Sequence, residues 1–264
     1  DSLPVIYGTR RVGGNIVWLA VSPDNQFLYM VIALCEGQVA RFTELYIDDV
    51  LYATYTGSDS TYGTAQTVSS LASASTSVPT NTSGLSIETD HPVYSGIETV
   101  EDVDTTHYLT NFAFFNGTDD GLNASTLTGL SEVSSLGWTS AHAGKGIAHA
   151  VFKLKYNSDA FNSIPKINFI IRGKQINTNL SGSSYAYSAN PALVLYDYLT
   201  STRYGKGLSA SDINASAFTT AAGVCNTSVT PYTGASSEAL FECHTALGNK
   251  TKIIDNVKKV LSSM

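Results

Sequence analysis

The five histidines of this 264-residue chain, His91, His107, His142, His149 and His244, are the first place to look for metal or acid–base chemistry. None stands in an HxxxH or HExxH spacing, which a helix needs to bring two ligands onto one face. His142 and His149 flank a glycine-rich turn but lack an acidic third ligand at a defined offset, so no metal site is expected there. Asn116-Gly-Thr-Asp-Asp-Gly121 looks like the opening of a calcium loop, with Asn116, Thr118, Asp120 and Gly121 at its first, third, fifth and sixth positions. Its twelfth position is Leu127, where a bidentate Glu is required, and the segment reads as a polar turn.

Nucleophilic and phosphate chemistry are equally unsupported. There is no Gly-x-Ser-x-Gly elbow and no phosphate-cradling Gly-Lys-Ser/Thr; Gly144-Lys145-Gly146 and Gly205-Lys206-Gly207 are turns that carry a cation. Asp48 and Asp49, or Asp119 and Asp120, could form a glycosidase pair only if both faced one bond, and neighbours on a strand point to opposite faces. Cys35, Cys225 and Cys243 have no short spacing. A Cys225–Cys243 bridge stays open, with three partly buried thiols as the plainer reading. The sequence thus names no catalytic, cofactor-binding or metal-ligating residue, and the expectation is a protein that is not an enzyme and takes no cofactor.

Charge is placed unevenly. The total is −7, which argues against a module that reads nucleic-acid phosphates. Between Arg41 and Lys145 there is no Lys or Arg, and residues 42–144 hold −13 against +6 for the rest. Such a stretch is either a solvated acidic insertion or a surface that repels polyanions or meets a basic partner. Within it, Thr54–Thr89 is half Ser and Thr and lacks the apolar periodicity of a core, so it reads as a long loop or peripheral elaboration. No window of about 18 apolar residues exists for a membrane-spanning helix.

The elements that must position any site divide by character. Val5–Thr9, Asn15–Val21, Gln26–Leu34, Phe42–Ile47 and His107–Phe115 read as strands punctuated by Gly13-Gly14, Pro23-Asp24-Asn25 and Asp48-Asp49. Asn15–Val21 is apolar on both faces and is expected to be central. Gly146–Tyr156 is expected to pair with Lys166–Arg172. Asn190-Pro191 caps a helix running to Tyr204-Gly205, Asn214 caps a second, and residues 251–264 form an amphipathic third that stops without a cap. With the start at Asp1, that ending reads as a piece of a longer polypeptide. The expected class is α+β: a β-rich domain from 1–53 plus 107–180, a Ser/Thr-rich acidic insertion at 54–106, and an α-rich segment at 181–264.

Several segments in order resemble one family. Pro4-Val-Ile-Tyr-Gly-Thr-Arg-Arg-Val-Gly-Gly14, Leu34-Cys-Glu-Gly-Gln38, Leu45-Tyr-Ile-Asp-Asp49, Asn116–Asp120, Gly137-Trp138 and Gly144-Lys-Gly-Ile-Ala148 are similar to motifs of the tail-tip, or central baseplate hub, proteins of long-tailed bacteriophages, typified by tip attachment protein J. The most specific match is Tyr187-Ser-Ala-Asn-Pro-Ala-Leu-Val-Leu-Tyr-Asp-Tyr-Leu-Thr200 with Arg203-Tyr-Gly-Lys-Gly207, followed by Phe241-Glu-Cys-His244 and Ile254–Ser263. Gly173-Lys-Gln-Ile-Asn-Thr178 departs from the family's Gly-Lys-x-Val-Tyr-Asp, and residues 54–106 match nothing.

The resemblance implies a structural virion protein. It would be a homotrimeric hub, with β-rich barrel-like domains, that adapts a sixfold tail tube to a threefold tip and forms the channel for ejected DNA. Its partners would be tail tube and distal tail proteins, spike or fibre components, double-stranded DNA passing without specific binding, and a host receptor reached through distal domains outside this chain. It would be assembled in the host cytoplasm and reside at the virion tail tip. The alternatives are a carbohydrate-binding or adhesin module and, behind it, a tail-associated glycosidase.

Overall fold

A computed structural model describes residues 2–57, 65–67, 85–87, 110–117, 133, 135–139, 141–142, 144–156, 163–180 and 184–264. In chain order the elements are β1 (Val5–Tyr7), β2 (Thr9–Val12), β3 (Asn15–Val21), β4 (Phe27–Glu36), β5 (Val39–Ile47), β6 (Val50–Tyr55), β7 (Ala65–Thr67), β8 (Leu85–Ile87), β9 (Thr110–Phe115), β10 (Ile147–Lys155), β11 (Ile167–Asn177) and β12 (Tyr185–Tyr187). Then follow α1 (Pro191–Thr200), α2 (Ala215–Cys225), β13 (Ser228–Val229), β14 (Glu238–Ala239), β15 (Thr245–Leu247) and α3 (Ile253–Leu261). The class is α+β. The chain folds as two units, one formed by Arg11–Ile171 and the other by both remaining parts, Asp1–Arg10 with Arg172–Met264. The strand at the start of the chain therefore belongs with the helices rather than with the residues up to 53. Most of 54–106 lies outside the described residues.

In the β-rich unit, β3 and β4 form a hairpin pinned by its turn. Ser22 N–H donates to the Phe27 carbonyl at 2.8 Å, Phe27 N–H donates to Ser22 Oγ at 2.9 Å, and Asn25 takes the left-handed φ of 58° that Asn tolerates. Antiparallel pairing then runs β3–β4–β10–β9–β7. A second sheet holds the β5–β6 hairpin, with β8 on its far side. Asp48 and Asp49, at φ 50° and 66°, make the two-residue turn between Ile47 and Val50, in the primed geometry that matches strand twist.

The two sheets meet through aromatic rings. Phe42 of β5 lies within 5.1–6.0 Å, centroid to centroid, of Tyr55, Phe112, Phe114 and Phe169, and Phe112 stacks on Phe152 at 5.7 Å. Phe112, Phe114, Phe152 and Phe169 are all fully buried. Tilted and edge contacts of this kind add about 0.5–1.5 kcal/mol each beyond area burial. On the other face of the first sheet, Tyr29, Val31, Ala113, Phe115 and Val151 are covered by Val133 and Trp138, and Trp18 of β3 leans on Trp138 at 5.3 Å. Lys153, only 4% exposed, spends its charge there over the rings of Phe27 (4.3 Å) and Tyr29 (5.7 Å).

Two strand expectations are corrected. Gly146–Tyr156 does not pair with Lys166–Arg172: β10 has β4 on one side and β9 on the other, whereas β11 is ordered with β5 and β12 in the second sheet. A strand buried on both faces needs neighbours on both edges, and here those neighbours come from distant sequence. β3 is not central either. Among the described strands it pairs with β4 alone, and Ile16, Val17, Leu19 and Val21 are 41–56% exposed, which is not the burial of a central strand.

In the other unit β1 pairs with β15, and the end of β11 with β12. The helix starts stand where the caps placed them. Asn190 Oδ1 accepts the N–H groups of Ala192 and Leu193 with Pro191 opening α1, and Asn214 accepts the N–H of Ala217 at the start of α2. α1 ends at Thr200, short of Tyr204-Gly205, and α3 ends with the Ser262 N–H on the Lys258 carbonyl. Val5, Tyr7, Ile176, Val194, Tyr198 and Val260 anchor one apolar cluster. No helix among the described residues is long and apolar enough to cross a membrane.

Candidate functional site: a tyrosine–aspartate network

Among the described residues, a connected set of polar side chains lies in the helical unit, around one carboxylate. Asp197 is the sole acidic residue of α1. Its Oδ2 accepts from the hydroxyl of Tyr7, a fully buried residue of β1, at 2.5 Å, and from the hydroxyl of Tyr204 at 2.8 Å. Burial, and then the Asp197 charge, push both phenols well above their ordinary range. Both hydroxyls donate to the carboxylate. Lys174 sits 5.2 Å from the Tyr204 ring. Beside the network is a cavity of about 280 Å³ lined by Asn177, Tyr185, Tyr196, Asp197, Thr200 and Leu208.

The surrounding backbone holds this geometry. After Ser201 the chain turns back on α1: Lys206 N–H donates to the Tyr198 carbonyl at 3.1 Å and Leu208 N–H to the Leu199 carbonyl at 2.9 Å. Residue 205 must be glycine, because a Cβ would run into the carbonyl oxygen of Tyr198. The first strand is fixed at its other end as well. Thr9 N–H donates to His244 Nδ1 at 2.8 Å, so the ring proton is on Nε2, which donates to Glu242 at 2.9 Å. Gly8 (φ 64°) lies so close to Cys243 and His244 that no side chain fits. Cys243 N–H donates to the Ala189 carbonyl at 2.7 Å, and Asn256 of α3 donates to the Tyr198 hydroxyl at 2.8 Å. Tyr7-Gly8-Thr9, Asn190–Tyr204, Phe241–His244 and α3 thus close on one another.

Other residues singled out from sequence do not converge. His149 is buried against Phe115 with ring centroids 4.9 Å apart, and burial holds its pKa below the usual imidazole value. His142 stacks on Trp138 at 4.7 Å. His91, His107, Asp119 and Asp120 lie outside the described residues. Asp48 accepts the Lys166 N–H, while Asp49 bridges Lys166 and Arg11, which holds its carboxyl below the usual range, first through the Lys166 hydrogen bond. Cys35, Cys225 and Cys243 are buried free thiols, so the 225–243 bridge is not formed, and burial pushes the Cys243 thiol up. No group of three His, Cys, Asp or Glu suited to a metal occurs among the described residues.

Tyr7, Asp197 and Tyr204 were not named as a site by sequence reasoning. The available signal was a single carboxylate inside an otherwise apolar helix, which must find donors if its neighbours are buried. Comparison with known proteins adds little to this geometry. No protein-family model and no curated protein matches the chain. Among solved structures, a chain in the virion of a native gene transfer agent particle is similar over 70% of this chain and 29% of that one, at 17% identity and a TM-score of 0.38. The present chain spans less than a third of that chain's length, and a likeness this distant carries no argument.

Proposed function

We propose that this chain is a structural virion protein of a long-tailed phage or phage-like particle, acting in the tail-tip hub. One observation carries the reading. The motifs that resemble hub proteins in the helical unit, far apart in sequence, are the residues that bond to one another: Tyr7 and Tyr204 on Asp197, Thr9 on His244, Cys243 on Ala189, Asn256 on Tyr198. Motifs that share one architectural role are expected to meet in this way. The network has two phenol donors on one carboxylate, an arrangement that holds shape.

In this role the chain assembles as a homotrimer with tail tube and distal tail proteins and contributes to the DNA exit path. The β-rich unit carries 6 basic and 16 acidic residues, a net of −10, which repels passing DNA where it faces the lumen. Immunogold electron microscopy on particles, with antibody raised to this chain, tests the proposal. Label confined to the tail tip supports it, and particles without label refute it. The carbohydrate-binding alternative gains nothing from the tryptophans, since Trp138 is 6% exposed and Trp18 rests against it.

A further inference from the structure

The cavity beside Asp197 is built by two elements of the helical unit. Tyr196 and Asp197 precede Thr200 by four and three positions, so the last turn of α1 carries all three on one face. Asn177 and Tyr185 are directly opposed across the β11–β12 pair, so they share a face of that hairpin. Leu208 closes a further side, fixed by its N–H on the Leu199 carbonyl at 2.9 Å. All six belong to the same unit. At about 280 Å³ the hollow falls just below the range of pockets for drug-sized ligands and suits a single small ring.

Its lining offers what a polyol needs. Tyr7 and Tyr204 both donate to Oδ2, at 2.5 and 2.8 Å, which fixes the carboxylate before any ligand arrives and leaves Oδ1 to accept from ligand hydroxyls. Thr200 Oγ1 donates to the Tyr196 carbonyl at 2.9 Å, so lone pairs are what it presents to a ligand. Tyr185 is 63% exposed and supplies an open aromatic face on which the C–H side of a sugar ring can lie. Tyr196 is the rigid wall: it is 9% exposed and meets Phe218 edge-on at 5.5 Å. A carboxylate among rings could also take a cation. Lys174 Nζ already stands 5.2 Å from the ring of Tyr204, whose hydroxyl is on Asp197, so like charge opposes a second cation and favours a neutral ligand.

We propose that this cavity binds one neutral pyranose residue of a glycan, its ring against Tyr185 and its hydroxyls donating to Asp197 Oδ1 and Thr200 Oγ1. The assignment does not rest on the tail-tip reading. Tail-tip label without sugar binding, or sugar binding without label, tells the two apart.

The probes are the methyl α-glycosides of glucose, galactose, mannose and N-acetylglucosamine, each titrated into the full chain by amide chemical-shift mapping. At least one should saturate, with Kd on the order of 1 mM, and move the amides of Tyr185, Thr200 and Leu208. Tyr185→Ala, at an exposed position, should weaken it by about tenfold, and Thr200→Val by roughly threefold to tenfold. Tyr232→Ala, at a 71% exposed tyrosine outside the cavity lining, should leave it unchanged. Failure of all four glycosides to move these amides overturns the proposal, as does binding indifferent to both Tyr185→Ala and Thr200→Val. So does saturation of the same amides by agmatine in preference to every glycoside, which would make the cavity a cation site.

Discussion

Replacing Tyr7 with Phe removes one hydroxyl and leaves the ring in place, so it isolates the bond to Asp197. That bond is 2.5 Å long, ends on a carboxylate and lies in a fully buried residue. Hydrogen bonds to charged groups are worth about 1.5–3 kcal/mol, and an expected loss of about 2 kcal/mol follows. Asp197 itself is half-buried and keeps Tyr204, which holds the loss below the cost of an orphaned charge. For a unit of roughly 100 residues, 2 kcal/mol lowers Tm by about 8–16 °C. Helical circular dichroism during urea unfolding reads the change, because α1, α2 and α3 all lie in this unit.

The same variant carries a second readout in a double-mutant cycle with Tyr204→Phe. Two donors on one oxygen should be non-additive by about 0.5 kcal/mol or more. The pH dependence has a defined sign. Both phenols have folded pKa values raised above the ordinary 10, so their contribution is complete below pH 10 and is lost as pH climbs from there toward the folded values. The double Phe variant should lack that alkaline loss. A Tyr7→Phe cost under 0.5 kcal/mol, together with strict additivity, would refute the reasoning that Asp197 is what binds the first strand to α1.

Asn190→Ala removes a cap that accepts two N–H groups and also donates to the Ala222 carbonyl and Asn226, so a loss of about 2–4 kcal/mol is expected, half of it restored by Asn190→Asp; urea midpoints measure both. Gly205→Ala drives a Cβ into backbone and should cost more than about 2 kcal/mol, read as a drop in Tm. Phe42→Ala, which empties a site touching four rings, should cost about 3–5 kcal/mol in the β-rich unit, seen by calorimetry. His149, whose folded pKa is depressed by burial, favours the folded state above pH 6.5, and that stability falls away as pH drops through the folded value; His149→Phe should flatten this acid limb in a series of thermal melts.

Where local chemistry decides conformation, the sequence was legible. Asn190-Pro191 and Asn214 placed two helix starts, Asp48-Asp49 closed a hairpin, and Pro23-Asp24-Asn25 turned another. Pairing between distant strands was not. β10 and β11 each satisfy the pattern of a partner for the other, and only the arrangement of whole sheets sends them apart. β3 misled for a related reason: apolarity on both faces fits a central strand and a half-exposed one equally well. The Tyr7–Asp197–Tyr204 network could not be read because it joins residues 190 positions apart in sequence, with no spacing rule to relate them.

The strand that donates Tyr7 also sets a timing problem during synthesis. Val5–Tyr7 pairs with Thr245–Leu247, and everything from Arg11 to Ile171 forms a separate unit in between. At about 5–20 residues per second, the ribosome delivers the partner strand roughly 12–48 s after β1 emerges. The intervening unit has all of its residues well before then and can fold first, while Val5-Ile-Tyr7 waits for its pairing with β15. Completion of the helical unit therefore waits for residue 245, and nascent chains stalled before it should lack the β1–β15 pairing, read as absent protection of those amides in hydrogen exchange.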